Sequence, residues 1–288
     1  MQHLILDCDT KNEIDDQFAI TYALGTGARV DGIVNVQNTH ANGPDSVTIY
    51  REETRLILEA MDRTDVPNLP GVTRPLERDD RPGRAEGVEF IIERARTMTE
   101  EPLVVVGTGP ATDLASAVLL APDIADRVVF YWLGGHRDAE TLRRVGEEWN
   151  VLGDPWAVKV LFESRAPLVH VPAWGVTEKL VWRTNWLLEK LQGLGKPIHR
   201  LLADRVSDFM ARHAKGIPDP KKEFWDIGAA MCPLHPEWYT IREQPAFGRT
   251  EDGTWIIPGR NTRTIRFVED LDAEAILAGA MSVYETLE

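Results

Sequence analysis

Short apolar runs alternate with amphipathic stretches along most of the chain. Residues 3–6 and 30–36 read as strands, with a helix at 15–24 between them and a second helix at 46–61 whose apolar positions recur at helical spacing. The run Leu103-Val104-Val105-Val106 closes on Gly107 and has no polar position, the pattern of a strand buried on both faces. A helix at 113–120, a strand at 128–133 closed by Gly134-Gly135, and a strand at 168–171 continue the rhythm. Alternation of this kind predicts an α/β fold, a mostly parallel (mixed) central sheet with helices on both faces. The last third is more helical. It reads as a long amphipathic region at 186–209 broken at 193–197, a helix at 226–231, an alternating strand at 262–267 and a closing helix at 272–287. Trp182 and Trp186, four apart, suggest a helix packing face. No repeat or linker divides the chain, so residues 1–288 read as a single domain.

Composition narrows the partners. Across 288 residues, 32 Lys and Arg stand against 46 Asp and Glu, a net charge of −14. That balance gives no general attraction to nucleic acid or to an anionic membrane surface. No run approaches the ~18 apolar residues of a membrane helix, and the first residues lack a basic n-region. Cys8 and Cys232 are too few for a disulfide framework. The expectation is a cytoplasmic protein with a small-molecule partner, no nucleic acid and no membrane.

Candidate chemistry collects where strands end, the place at which open α/β sheets bind ligands. The first strand runs into Asp7-Cys8-Asp9 and, five residues on, Asp15-Asp16. Four converging carboxylates repel one another, and a hard cation with oxygen ligands resolves that repulsion. As a simpler alternative, Asp15 and Asp16 serve only the positive end of the following helix. Gly107-Thr108-Gly109-Pro110 can turn a carbonyl or hydroxyl into a site, or can be only a tight connection. After Gly134-Gly135 comes Glu147-Glu148-Trp149-Asn150, where polar side chains beside an aromatic suit a sugar. Cys8, between two acids, is disfavoured as a nucleophile. His40 and His136 follow strand ends and could act as acids or bind substrate, although a His on such a loop is more often an ordinary surface or hydrogen-bonded residue; His3, His170, His199, His213 and His235 carry no supporting pattern.

Taken in order, these segments resemble the nucleoside hydrolase family, the inosine/uridine-preferring, calcium-dependent N-ribohydrolases. The resemblance rests on Asp7-Cys8-Asp9 with Asp15-Asp16, on Gly107-Thr108-Gly109-Pro110, on Asp126-Arg127-Val128 followed by Gly134-Gly135 and Glu148-Trp149-Asn150, and on Phe224-Trp225-Asp226-Ile227. It implies a Rossmann-like sheet and a Ca²⁺ held by Asp9, Asp16, Asp226 and the Thr108 carbonyl. It further implies a Ca²⁺-bound water activated by Asp9 as general base. Asp15, Asn38, Glu148, Trp149 and Asn150 would bind the substrate, with His40 or Asn42 as alternatives to Asn38, and Asp7 would support the cluster from behind. The reaction implied is hydrolysis of a ribonucleoside to free base and ribose, as in nucleoside salvage, by a homodimer or homotetramer.

Two departures qualify the resemblance. Five residues, Thr10 to Ile14, separate Asp9 from Asp15 where the family has three, so the turn carrying the acids is enlarged and now holds Lys11 and Glu13. Trp225 stands where many members have His; the resemblance to the family's purine-preferring branch implies a Trp that stacks on the base, and the alternative is a core tryptophan in a Trp-rich chain. The expectation is therefore purine metabolism, with a hydrolase of another furanoside or a non-catalytic Ca²⁺-dependent nucleoside-binding protein as alternatives. A magnesium-dependent phosphatase whose first strand ends in Asp-x-Asp-x-Thr fits less well, because Thr10 follows Asp9 directly.

Overall fold

The structure, a computed structural model, describes residues 2–249, 255–256 and 263–287. The first half lays down β1 (His3–Cys8), α1 (Asp15–Gly25), β2 (Arg29–Asn35), the short α2 (Thr39–Asn42), α3 (Ser46–Ala60) and β3 (Asn68–Pro70). Next come α4 (Glu86–Thr97), β4 (Leu103–Gly107), α5 (Thr112–Leu120) and β5 (Val128–Leu133). After them follow α6 (Ala139–Val145), α7 (Trp149–Gly153), α8 (Pro155–Glu163) and β6 (Leu168–Val171). The rest comprises β7 (Val181–Arg183), α9 (Thr184–Leu194), α10 (Pro197–His213), β8 (Lys221–Glu223), α11 (Trp225–Met231) and β9 (Tyr239–Pro245). It ends with β10 (Gly248–Arg249), β11 (Trp255–Ile256), β12 (Thr264–Leu271) and α12 (Ala273–Thr286).

Eight strands form one sheet in the order β3-β2-β1-β4-β5-β6-β12-β9, parallel throughout except that β9 runs antiparallel to β12. This is the mixed α/β sheet that the strand–helix rhythm predicts. It is covered on both faces. Val104 and Val106 join one apolar cluster with Phe18, Tyr284 and Phe224, while Leu103 and Val105 join the other with Ile91, Leu114 and Phe162. That two-sided burial is why β4 carries no polar position. The strand order reverses at β1, with β2 on one side and β4 on the other, which opens a crevice at the carboxyl ends of these strands.

Several elements differ from their sequence reading. The predicted strand at 262–267 begins at Thr264 and continues to Leu271, because it pairs with β9 through an irregularity between Val268 and Asp270; residue 262 lies outside the described residues. Trp182 does not share a helix face with Trp186. It sits on β7, buried against Phe18 and Phe224, and the helix starts only at Thr184. Among the described residues, no helix is long and apolar enough to cross a membrane.

Candidate active site

The crevice is a pocket of ≈ 280 Å³ lined chiefly by the segments that follow β1, β4, β5 and β6 and by the stretch from β8 into α11. Asp9 is the first residue beyond β1. Asp15 and Asp16 form the first turn of α1, where the helix's positive end favours negative charge. Thr108 follows β4, Glu148 caps α7, and Asp226 lies in the first turn of α11. Together with Trp149, Asn150 and Trp225 these residues line the pocket. Asn38 and Asp7 do not line it. Asn38 is buried behind Asp9 and donates to it, while Asp7 is fully buried next to Asp113.

A network of hydrogen bonds orients the acids. Asp9 Oδ2 accepts from Asn38 Nδ2 at 2.7 Å and from Asn12 Nδ2 at 3.1 Å. Asp16 Oδ1 accepts from the Thr108 hydroxyl at 2.7 Å. Asn150 Nδ2 donates to the Thr108 carbonyl at 2.6 Å and to the Leu133 carbonyl at 3.0 Å, tying together the ends of β4 and β5. Glu148 uses both oxygens to cap α7 and to receive the Gly135 amide at 2.9 Å. Gly109 permits the approach: a Cβ there would meet Val36 at 2.6 Å and the Asp9 side chain at 3.0 Å.

The electrostatics are those of acids crowded together out of water. Burial, then the neighbouring carboxylates, push Asp9 and Asp226 well above the usual carboxylate range. Burial raises Asp16 to about 6 and Asp15 to about 7, the latter against the pull of Lys222. Asp9, Asp16, Asp226 and the Thr108 carbonyl are hard oxygen donors whose mutual repulsion a divalent cation such as Ca²⁺ would relieve, so the donor set fits such an ion in kind. No group of three or more His, Cys, Asp or Glu among the described residues is arranged as a ready-made metal cage.

Comparison with known proteins bears on this arrangement. A model of the inosine-uridine preferring nucleoside hydrolases matches residues 4–278. The chain belongs to that family. The hydrolase is 26% identical over 254 residues to a pyrimidine-specific ribonucleoside hydrolase, RihA, of Escherichia coli O1:K1, covering 81% of this chain and 76% of the relative. Its fold matches a plant nucleoside hydrolase, PpNRh1, with a TM-score of 0.79 at 19% identity over 99% of both chains. A purine-preferring ribonucleoside hydrolase from Gardnerella vaginalis gives 0.76 at 21% identity, again over 99% of both chains. As a family member the chain is an N-glycosyl hydrolase whose reaction is hydrolysis of the ribonucleoside N-glycosidic bond.

The structure also brings residues to the pocket that the sequence reading of the hydrolase leaves out. Trp174, beyond the end of β6, packs edge-on against Trp225 with ring centroids 4.8 Å apart. The strand-end rule applied to β6, whose last residue Val171 lies three before Trp174, is the signal that could have found it. Lys222, Phe209 and Asn12 join the lining as well. The histidines that follow strand ends stay out of it: His40 packs on Trp149 at 4.9 Å, and His136 is buried with Nε2 2.7 Å from the Gly146 carbonyl oxygen. Burial pushes the Cys8 thiol well up, consistent with an inert cysteine.

Proposed function

We propose that this hydrolase acts on purine ribonucleosides in a Ca²⁺-dependent reaction, with residues 1–288 working as one domain and Asp9 as general base. The observation that carries the purine reading is the aromatic wall: Trp225, the residue before Asp226, packs edge-on with Trp174, and both line the same pocket as Asp9, Asp15 and Asp16. A bicyclic base offers such a wall a larger face than a pyrimidine does, and an aromatic surface favours a ring that gains positive charge on protonation. Asp9, Asp16, Asp226 and the Thr108 carbonyl would hold Ca²⁺, which when bound supplies a Lewis acid that lowers the pKa of water.

The chain's own residues account for the remaining steps. Both side-chain amides that restrain Asp9 land on Oδ2, leaving Oδ1 to take the proton of the attacking water. Asp15, Glu148 and Asn150 bind the sugar, Asn38 supports Asp9 from behind, and Asp7 lies behind the cluster beside Asp113. As the N-glycosidic bond lengthens, positive charge develops on the sugar, and the clustered carboxylates stabilise it. Attack opposite the departing base inverts the anomeric carbon.

The test is reducing-sugar release from matched purine and pyrimidine nucleosides, with Ca²⁺ or with chelator, in the wild type and in Trp225→Ala. Purines should be cleaved with the higher kcat/KM, chelation should abolish release, and W225A should lose about three- to tenfold on purines through KM. Preferential cleavage of pyrimidines would overturn the purine reading. Full activity in chelator would overturn the Ca²⁺ reading.

A further inference from the structure

The enlarged turn between Asp9 and Asp15 is tethered along its length. The Asn12 amide bonds back to the Asp9 carbonyl at 2.9 Å, and its side chain donates to Asp9 as well. Lys11 takes a positive φ of 103°, costly for a residue with a Cβ, and reaches Glu53 of α3 at 2.8 Å. Glu13 meets Lys222 at 2.5 Å. Lys222 comes from the far side of the pocket, on the two-stranded ribbon of β7 and β8, opposite Trp182.

Lys222 is an unusual component of this pocket. It is 2% exposed, it is the only cation in the lining among the described residues, and its ammonium sits about as far from the Phe209 ring (6.0 Å) as from that of Phe224 (5.8 Å). Burying an ammonium is costly unless it is paired. It has Glu13, the Glu223 carbonyl and, 3.9 Å away, Asp15. No other cation among the described residues comes within 4.0 Å of Asp15. Asp15 and Asp16 are adjacent acids in the first turn of one helix, yet their surroundings differ: Asp16 is held by Thr108, and Asp15 faces Lys222.

We propose that Lys222 is a positioning residue that latches the enlarged turn through Glu13 and holds Asp15 toward the substrate's sugar and away from the metal cluster. This rests on the reading of Asp15 as a sugar-binding group. The occupant it serves is a furanoside with a free vicinal diol, because a carboxylate fixed by a cation on one side can accept from two adjacent hydroxyls on the other. A pocket with six other carboxylates in its lining gives this single lysine no anionic substrate to recognise.

Lys222→Met, Lys222→Arg and Glu13→Gln in the full chain test the proposal through three measurements. These are steady-state kinetics on a ribonucleoside and its 2′-deoxy analogue, Ca²⁺ titration by calorimetry, and amide exchange of the 10–16 segment. K222M should raise KM for the ribonucleoside about tenfold with kcat nearly unchanged, and shrink discrimination against the deoxy analogue by about tenfold. Exchange across the turn should speed up, calcium affinity should hold, and K222R should recover most of the loss. E13Q, altered at the rim, should shift the same quantities less, and it carries the test should K222M fail to fold. Unchanged KM and discrimination in a folded variant would overturn the proposal, as would a fall in kcat that tracks lost calcium affinity. If the wild type cleaves no nucleoside, the underlying reading of the site fails before any variant is made, and unchanged exchange at the turn in K222M then removes the latch as well.

Discussion

In the mechanism proposed above, Asp9 concentrates the chemistry of the site in one side chain. Two amides hold its Oδ2, Asp16 crowds it, and Gly109 leaves just enough room for it. Asp9→Asn keeps the size and removes the base, so kcat should fall by about 10²–10⁴-fold while the fold, read by circular dichroism, stays intact. Asn38→Ala separates orientation from chemistry. With one restraint on Oδ2 gone and the carboxylate still present, the loss should be about tenfold, the worth of one charge-assisted hydrogen bond. A loss in N38A as large as that in D9N would give Asn38 a direct part in the reaction rather than a supporting one.

At the scale of elements, the turn and the helices beside it depend on Glu53. Its carboxylate is fully buried on α3 and gathers Lys11 of the turn, Gln17 of α1 and Arg205 of α10. Burial opposes its ionisation, but the Arg205 and Lys11 bonds prevail and hold it below the usual range. This contribution is therefore present at neutral pH and is lost as pH falls through the depressed folded value. Glu53→Ala should cost about 3 kcal/mol, toward the low end for a buried pair because Lys11 is partly solvated, measured as a shift in urea midpoint. Little of this was legible in the sequence. Apolar runs such as Leu103–Gly107 and Val128–Leu133 announce their strands because both faces are covered, and the acids at 9, 15, 16 and 226 announce a site because they fall at element ends. The edge strand β9, by contrast, is half exposed and mostly polar, and α8 follows Asp154-Pro155 after a run of short helices without a strand between. The ion pairs Lys222–Glu13 and Lys11–Glu53 join residues more than thirty positions apart, which no local pattern encodes.

For the whole molecule, the acid cluster ties stability to pH and, on the Ca²⁺ reading proposed above, to metal. Asp15, at about 7, and Asp16, at about 6, bind protons more tightly folded than unfolded, and burial pushes Asp9 and Asp226 well above the usual carboxylate range as well. Their stabilising protonation is complete below about pH 4, the unfolded carboxylate range, and is lost as pH rises through 6 and 7. Surface repulsion in a chain of net charge −14 acts in the same direction. His170, buried and neutral with its value lowered to about 3, acts oppositely below pH 6.5 and offsets part of the acids' gain there. Calcium isolates the cluster from these other groups. Ionised acids bind it and protonated ones do not, so the rise in melting temperature on adding Ca²⁺ should be greater at pH 8 than at pH 5.5. At about a hundredfold excess over the dissociation constant, the stabilisation is about 2.7 kcal/mol, on the order of 5 °C for a chain of this length. Asp226→Asn should abolish most of that rise while leaving the histidine-driven loss below pH 6.5 in place. Equal rises at both pH values, or a rise that survives in D226N, would mean that the cation binds somewhere other than between α1 and α11.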